Sequence, residues 1–232
     1  MSNYLSLGIV LLSSLAYMSL QLNLGCLLLL YHASVGKHIR AKSRTLATGY
    51  IFGVMIFLFL ALSAACFLLL VLQNGALELW QISALAGALL ATAILIWLVY
   101  YRFGGATELW LPRSFTNFLH TRARATKNPV EAFSLGFVSC FAELPFSAFL
   151  ILLSANSILA LSQVEQFLAI LGFILVSILP LLLLRIFLRK GSSISTVQRW
   201  RSKNRIFIRI FSGLLFLTLG IFIFVFEVKG GL

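Results

Sequence analysis

The chain has 232 residues, of which 61% are hydrophobic and only 10% charged, and its mean hydropathy is +1.03. A soluble domain carries about a quarter charged residues, so this composition excludes one and defines a membrane protein with no room for a separate soluble catalytic domain. The formal net charge of +12 does not point to nucleic acid, because the basic residues gather at every second connection between apolar runs.

The first apolar run covers residues 5–35. No Lys or Arg precedes Lys37, and the run is longer than the core of a signal peptide, so it is expected to be a retained span. A straight helix of that length reaches about 46 Å, more than the hydrocarbon thickness. Tilt, an extension beyond the bilayer, or a break near Asn23–Gly25 would each accommodate it. The run groups Gln21, Asn23, Gly25 and Cys26. Amides inside a span either hydrogen-bond a neighbouring helix or line a transport site.

The second run, 46–73, opens with "GYIFG" (49–53), a spacing that allows close helix packing, and contains Cys66, read as a core residue. The third covers 79–102. A long basic connection follows, "GGATELWLPRSFTNFLHTRARATKNP" (104–129), in which Trp110, Phe115 and Phe118 suit a short helix at the membrane surface. The fourth run, 130–156, holds "CFAELPFSAF" with Glu143 and Pro145; the fifth, 164–189, holds Pro180; the sixth is 205–228. Each run has the roughly 20 residues a spanning helix needs.

The expected fold is therefore an all-α polytopic membrane protein with six transmembrane helices. It divides into a first three-helix half (1–103), the basic connection (104–129) and a second half (130–232). Of the 18 Lys and Arg, four fall in 37–44, five in 102–127, eight in 185–209 and one at Lys229, which places both termini outside and the basic connections in the cytoplasm. The localisation expected is the plasma (inner) membrane. The partners expected are anionic lipid headgroups at the basic loops, and no nucleic acid. Three spans per half make the halves cross in opposite directions, which permits an inverted repeat. Laying "NLGCLLLLYHAS" (23–34) over "ELPFSAFLILLS" (143–154) matches Asn23 with Glu143, Gly25 with Pro145 and Cys26 with Phe146.

Glu143 lies about 20 Å into its span, past the midplane of a ~30 Å core. A carboxyl there must face protein or water, or hold a proton. It is either a proton or ion carrier or a protonated group bonded to a neighbouring helix. Pro145 is either a hinge at a cavity or an ordinary kink. Cys26 and Cys140 are the redox candidates, against a reading as small packing residues. No zinc-like spacing is present, His32, His38 and His120 read as interfacial groups, and neither metal nor cofactor is expected.

Six spans, outside termini and a 3+3 division resemble the broad superfamily that holds the CcdA and DsbD thiol–disulfide electron carriers and the LysE-type exporters. "GFVSCFAELPF" (136–146) is similar to the CcdA-like fourth-span pattern in its Gly, Ser, Glu, Leu and Pro, with Phe146 in place of the cysteine. In the first half Cys26 takes the matching position and Gly25 replaces a proline. The resemblance implies transfer of reducing equivalents from a thioredoxin-like protein through Cys26, with Cys140 as the available partner. The alternatives are a LysE-type small-molecule or ion transporter using Glu143, Asn23 and Gln21, and a non-catalytic membrane scaffold.

Overall fold

A computed structural model of the chain describes residues 3–20, 22–33, 40–73, 76–100, 113–189 and 194–228. The elements are all helical: α1 (Asn3–Ser19), α2 (Leu22–Ala33), α3 (Arg40–Gln73), α4 (Leu79–Leu95), α5 (Arg113–Ala125), α6 (Pro129–Leu159), α7 (Gln163–Arg189), α8 (Ile194–Lys203) and α9 (Arg205–Ile223). Short π-helical turns, Ile96–Tyr100 and Phe224–Val228, extend α4 and α9. Five helices are long and apolar enough to cross a membrane, and six spans result when α1 and α2 are taken as one span bent by 43°. Apart from the turn at Leu20, the described residues of all six apolar runs read from the sequence are thus helical.

The bend resolves the excess length of the first run. α1 ends at Ser19, ahead of Asn23 and Gly25, and the backbone groups released there find partners. The Leu20 amide donates to the Tyr17 carbonyl at 3.1 Å, and the Ser212 hydroxyl of α9 donates to the Ser19 carbonyl at 3.2 Å. Non-helical backbone at membrane depth is tolerated only with such replacements.

α3 and α6 form the most extensive helix pair. They run parallel: Gly49 lies against Pro129, Gly53 against Phe133, and Cys66 near Ala155. Side chains at the glycines would collide with backbone. A Cβ on Gly49 would sit 2.5 Å from the Pro129 carbonyl oxygen, and one on Gly53 or Gly136 would overlap the carbonyl oxygens of Phe133 and Tyr50. Phe57 then packs edge-on against Phe137 and Phe141 at 5.3 and 5.0 Å between ring centres. On the opposite face of the bundle α4 pairs with α9, where Gly213 admits the Trp97 indole.

α1 crosses α6 in the antiparallel sense. Its Asn3 amide reaches Glu165, just beyond the end of α6, at 3.3 Å, while its Tyr17 lies at the level of Glu143. α5 is the surface helix expected in the long basic connection. Leu119 and Ala123 are buried, Phe118 is exposed, and the helix packs on α2 and α6. α8 was not expected from the sequence: the 190–204 connection contains a further short helix that touches α2 and α9.

The backbone contact predicts a sharp contrast among glycines. Gly53→Ala and Gly136→Ala should each lower stability by about 1–3 kcal/mol, the range for overpacking. Gly172→Ala has open space around it and should be neutral, or stabilising by up to about 1 kcal/mol through helix propensity. Thermal unfolding of the purified protein in detergent checks the ranking.

Candidate functional site

The polar residues of the bundle interior converge on one point. Glu143, on α6, is 1% exposed although it lies deep within an apolar helix. Tyr17 of α1 brings its hydroxyl close enough to interact with the Glu143 carboxyl and the Cys140 thiol. The Tyr17 oxygen is fully enclosed without a well-aligned hydrogen bond. Tyr50 of α3 bonds Ser139 and lies within electrostatic range of Cys26, Cys140 and Glu143. Both tyrosines, both candidate cysteines and the acid thus belong to one buried cluster.

One side of the cluster is fully bonded. The Ser139 hydroxyl donates to the Gly136 carbonyl at 2.8 Å, which uses its single proton. The 2.9 Å contact between Tyr50 Oη and Ser139 Oγ is therefore donated by the tyrosine. The Cys140 thiol also points to the Gly136 carbonyl, at 3.3 Å. A cavity of about 20 Å³, the size that holds one water, lies beside Glu143. Its walls include Tyr17 and Met18 at the end of α1, Leu24 of α2, and Ser177 and Pro180 of α7. The bend in the first span therefore borders the space next to the acid.

α6 is one helix from Pro129 to Leu159, with Pro145 inside it. The helix continues through the proline, so no break lets Cys140 take the place of residue 146. Two residues along a helix turn by about 200°. Accordingly Glu143 faces the core while Pro145 is exposed on the lipid side. Adjacent in sequence, the acid and the helix breaker do not share a site. Phe146 is half-buried and packs against the core.

Of the other sequence candidates, Cys26 and Gly25 are buried in α2. Cys26, Cys66 and Cys140 form no disulfide, and Cys66 contacts the Ala155 carbonyl between α3 and α6. Gln21, His38 and Trp110 lie outside the described residues, as do the side chains of Asn23, His32, Phe115 and His120. Among the described residues no group of His, Cys, Asp and Glu has the arrangement of a metal site. Sequence reasoning missed Tyr17 and Tyr50. The available signal was their depth, since tyrosine in a span is usually found at the interface and not in the interior.

Fold and site together define a polytopic α-helical membrane protein with a carboxyl buried in its spanning region. Compared with protein-family models, curated proteins and solved structures, the chain finds no match in any of the three.

The two tyrosines should respond differently to loss of the hydroxyl. Tyr50→Phe removes a well-formed buried bond and should cost about 1 kcal/mol. Tyr17→Phe removes a hydroxyl without an aligned partner and should cost less, or stabilise. Denaturation midpoints of the two variants test the difference.

Proposed function

We propose that this chain is a membrane transporter that binds a proton on Glu143 as it moves a small solute or ion. The observation that carries this reading is the burial of the Glu143 carboxyl beside a water-sized cavity at the bend of the first span. An ionisable residue inside a span is expensive and serves most often in proton or ion pathways. Interrupted helices at the bilayer midplane are where transporters of the repeat type build their sites.

A 3+3 inverted arrangement is consistent with the packing. Exchanging the halves carries the first span onto α6, α3 onto α7 and α4 onto α9. Under that exchange the α1–α7 contact corresponds to α3–α6, and α1–α9 corresponds to α4–α6. Both α4 and α9 also end in a π-turn. The basic residues favour outside termini in the plasma (inner) membrane, with anionic lipid against the cytoplasmic connections.

A second reading keeps one observation of its own. Cys26 and Cys140 both lie near the Tyr50 hydroxyl, as a thiol relay of the CcdA-like kind would require, with a thioredoxin-like donor on the cytoplasmic side. The uninterrupted α6, the phenylalanine at 146 and the burial of both sulfurs favour the transporter. No observation favours the scaffold alternative specifically.

Proteoliposomes loaded with a pH-sensitive dye distinguish the readings. Under an imposed potassium diffusion potential the protein should acidify the vesicles, and Glu143→Gln should fall to the rate of protein-free vesicles. Equal rates for the two would remove Glu143 from the mechanism. Unchanged proton flux in Glu143→Gln, together with reduction of an entrapped disulfide by an external dithiol that is lost in Cys26→Ala, would move the assignment to the thiol relay.

A further inference from the structure

Two rows of hydroxyls, one on α1 and one on α6, run toward the acid. Ser6, Ser13 and Tyr17 lie within an arc of about 40° on α1, and Ser147, Ser154 and Ser157 lie within about 80° of one another on the Glu143 face of α6. These residues are between 0% and 4% exposed. Each of the five serine oxygens is enclosed and has no hydrogen-bond partner among the described residues, and the Tyr17 hydroxyl, which interacts with the Glu143 carboxyl and the Cys140 thiol, makes no well-aligned bond. The helices carry other serines that do satisfy themselves locally: Ser14 bonds the Leu11 carbonyl at 2.7 Å and Ser139 bonds Gly136. Ser14 lies off the α1 row, whereas Ser139 shares its angle on α6 with Ser157, so on α6 the bonded hydroxyl lies before Glu143 and the unpartnered ones lie beyond it.

The rows meet. α1 and α6 are packed against each other in the antiparallel sense, so Tyr17 pairs with the level of Glu143 while Ser6 and Ser154–Ser157 approach the far end of the bundle. From Glu143 to Ser157 the row rises about 21 Å, and from Tyr17 to Ser6 about 17 Å, more than half the thickness of a hydrocarbon core. At that far end Glu165, held by Asn3 at 3.3 Å, supplies an acid. The cavity beside Glu143 adds Ser177, whose enclosed hydroxyl also lacks a partner. Toward the opposite end of α6 the polar groups are closed on one another through Tyr50, Ser139 and Gly136.

We propose that the α1–α6 interface is a hydroxyl-lined file of water that conducts protons between Glu143 and the membrane face bearing the N-terminal end of α1. Buried hydroxyls are normally bonded to protein or ordered water. Each serine both donates and accepts, so alternating hydroxyls and waters form a continuous chain. A proton entering at that face is relayed along the chain and ends on the Glu143 carboxylate as the neutral acid, with the same bonds re-formed in the reverse order on release. The file stops at Glu143, because the bonded Tyr50–Ser139 pair closes the other side. The inference rests on the proton-carrying role assigned to Glu143.

Radiolytic hydroxyl-radical labelling of the full-length protein in lipid, read by mass spectrometry, tests the file without reference to transport. Tyr17 and Met18, reached by its waters, should be oxidised well above Tyr50, which is equally interior but sealed. Ser147→Val and Ser154→Val, alone and together, should lower the Tyr17 labelling and the proton flux, while the same-sized Ser147→Thr and Ser154→Thr should retain both. Glu143→Gln should abolish flux and leave the labelling. Tyr17 labelled no more than Tyr50, or valine and threonine variants behaving alike, would overturn the file even with transport by Glu143 intact. Labelling as expected with flux insensitive to Glu143→Gln would instead overturn the carrier role assigned to Glu143 and leave a water file without its proton-binding terminus.

Discussion

The backbone contact between α3 and α6 is the constraint on which the interior depends. In lipid, helices are not driven together by burial of apolar surface, so association rests on close packing and interhelical hydrogen bonds. Gly49, Gly53 and Gly136 let the two backbones touch, and the Tyr50 carbonyl occupies the place a side chain at 136 would need. With that contact fixed, the Tyr50 hydroxyl falls on Ser139, one turn beyond Gly136. The rotation of α6 is thereby set, and Glu143, a further turn along, points inward with Tyr17 beside it and Pro145 toward lipid. Three residues without side chains thus determine where the only deeply buried acid among the described residues is aimed.

Burying that acid creates two requirements that oppose each other. A carboxyl in a low-dielectric core is most easily held neutral, which favours enclosure. A carboxyl that exchanges protons needs a route to water, which favours an opening. In the proton-carrying reading proposed above, the two demands are separated by direction. Apolar side chains and a bonded Tyr50–Ser139 pair enclose Glu143 on one side, while the bent first span and the unpartnered hydroxyls of α1 and α6 lie on the other. The bend itself is tolerable because Ser212 of α9 takes up the Ser19 carbonyl.

The apolar helices were legible in the sequence because apolar run length is fixed by bilayer thickness, and the described residues of each run fall in a helix or in the bent α1–α2 pair, five or six of spanning length. The GYIFG face was also legible, although its partner Gly136 was not, since which helix docks on a glycine face depends on tertiary packing. Glu143 stood out as an acid in a span. Its association with Pro145 misled, because sequence adjacency suggests a shared site while 3.6 residues per turn puts the two on opposite faces. The rows at 6, 13 and 17 and at 143, 147 and 154 follow spacings of seven and four that are visible in the sequence. They go unnoticed because serine is a common small residue in membrane helices and only its lack of a partner makes it informative.

The uninterrupted course of α6 bears unequally on the chemistries the sequence left open. A thiol relay needs two sulfurs that meet and one that an outside thiolate can reach. Cys140 is held about 9 Å along a continuous helix from position 146, and its thiol is directed at the Gly136 carbonyl. Any encounter with Cys26 must therefore come from movement of α2 at the 43° bend. Proton exchange makes a smaller demand. In the proton-carrying reading proposed above, it would require only that the Tyr50–Ser139 bond open as the α1–α6 seam closes, with the first span and α7 moving against the α3–α6 pair. The glycine contact that aims Glu143 would then also serve as the fulcrum, because at Gly53 and Gly136 backbone lies against backbone too closely to shift without collision.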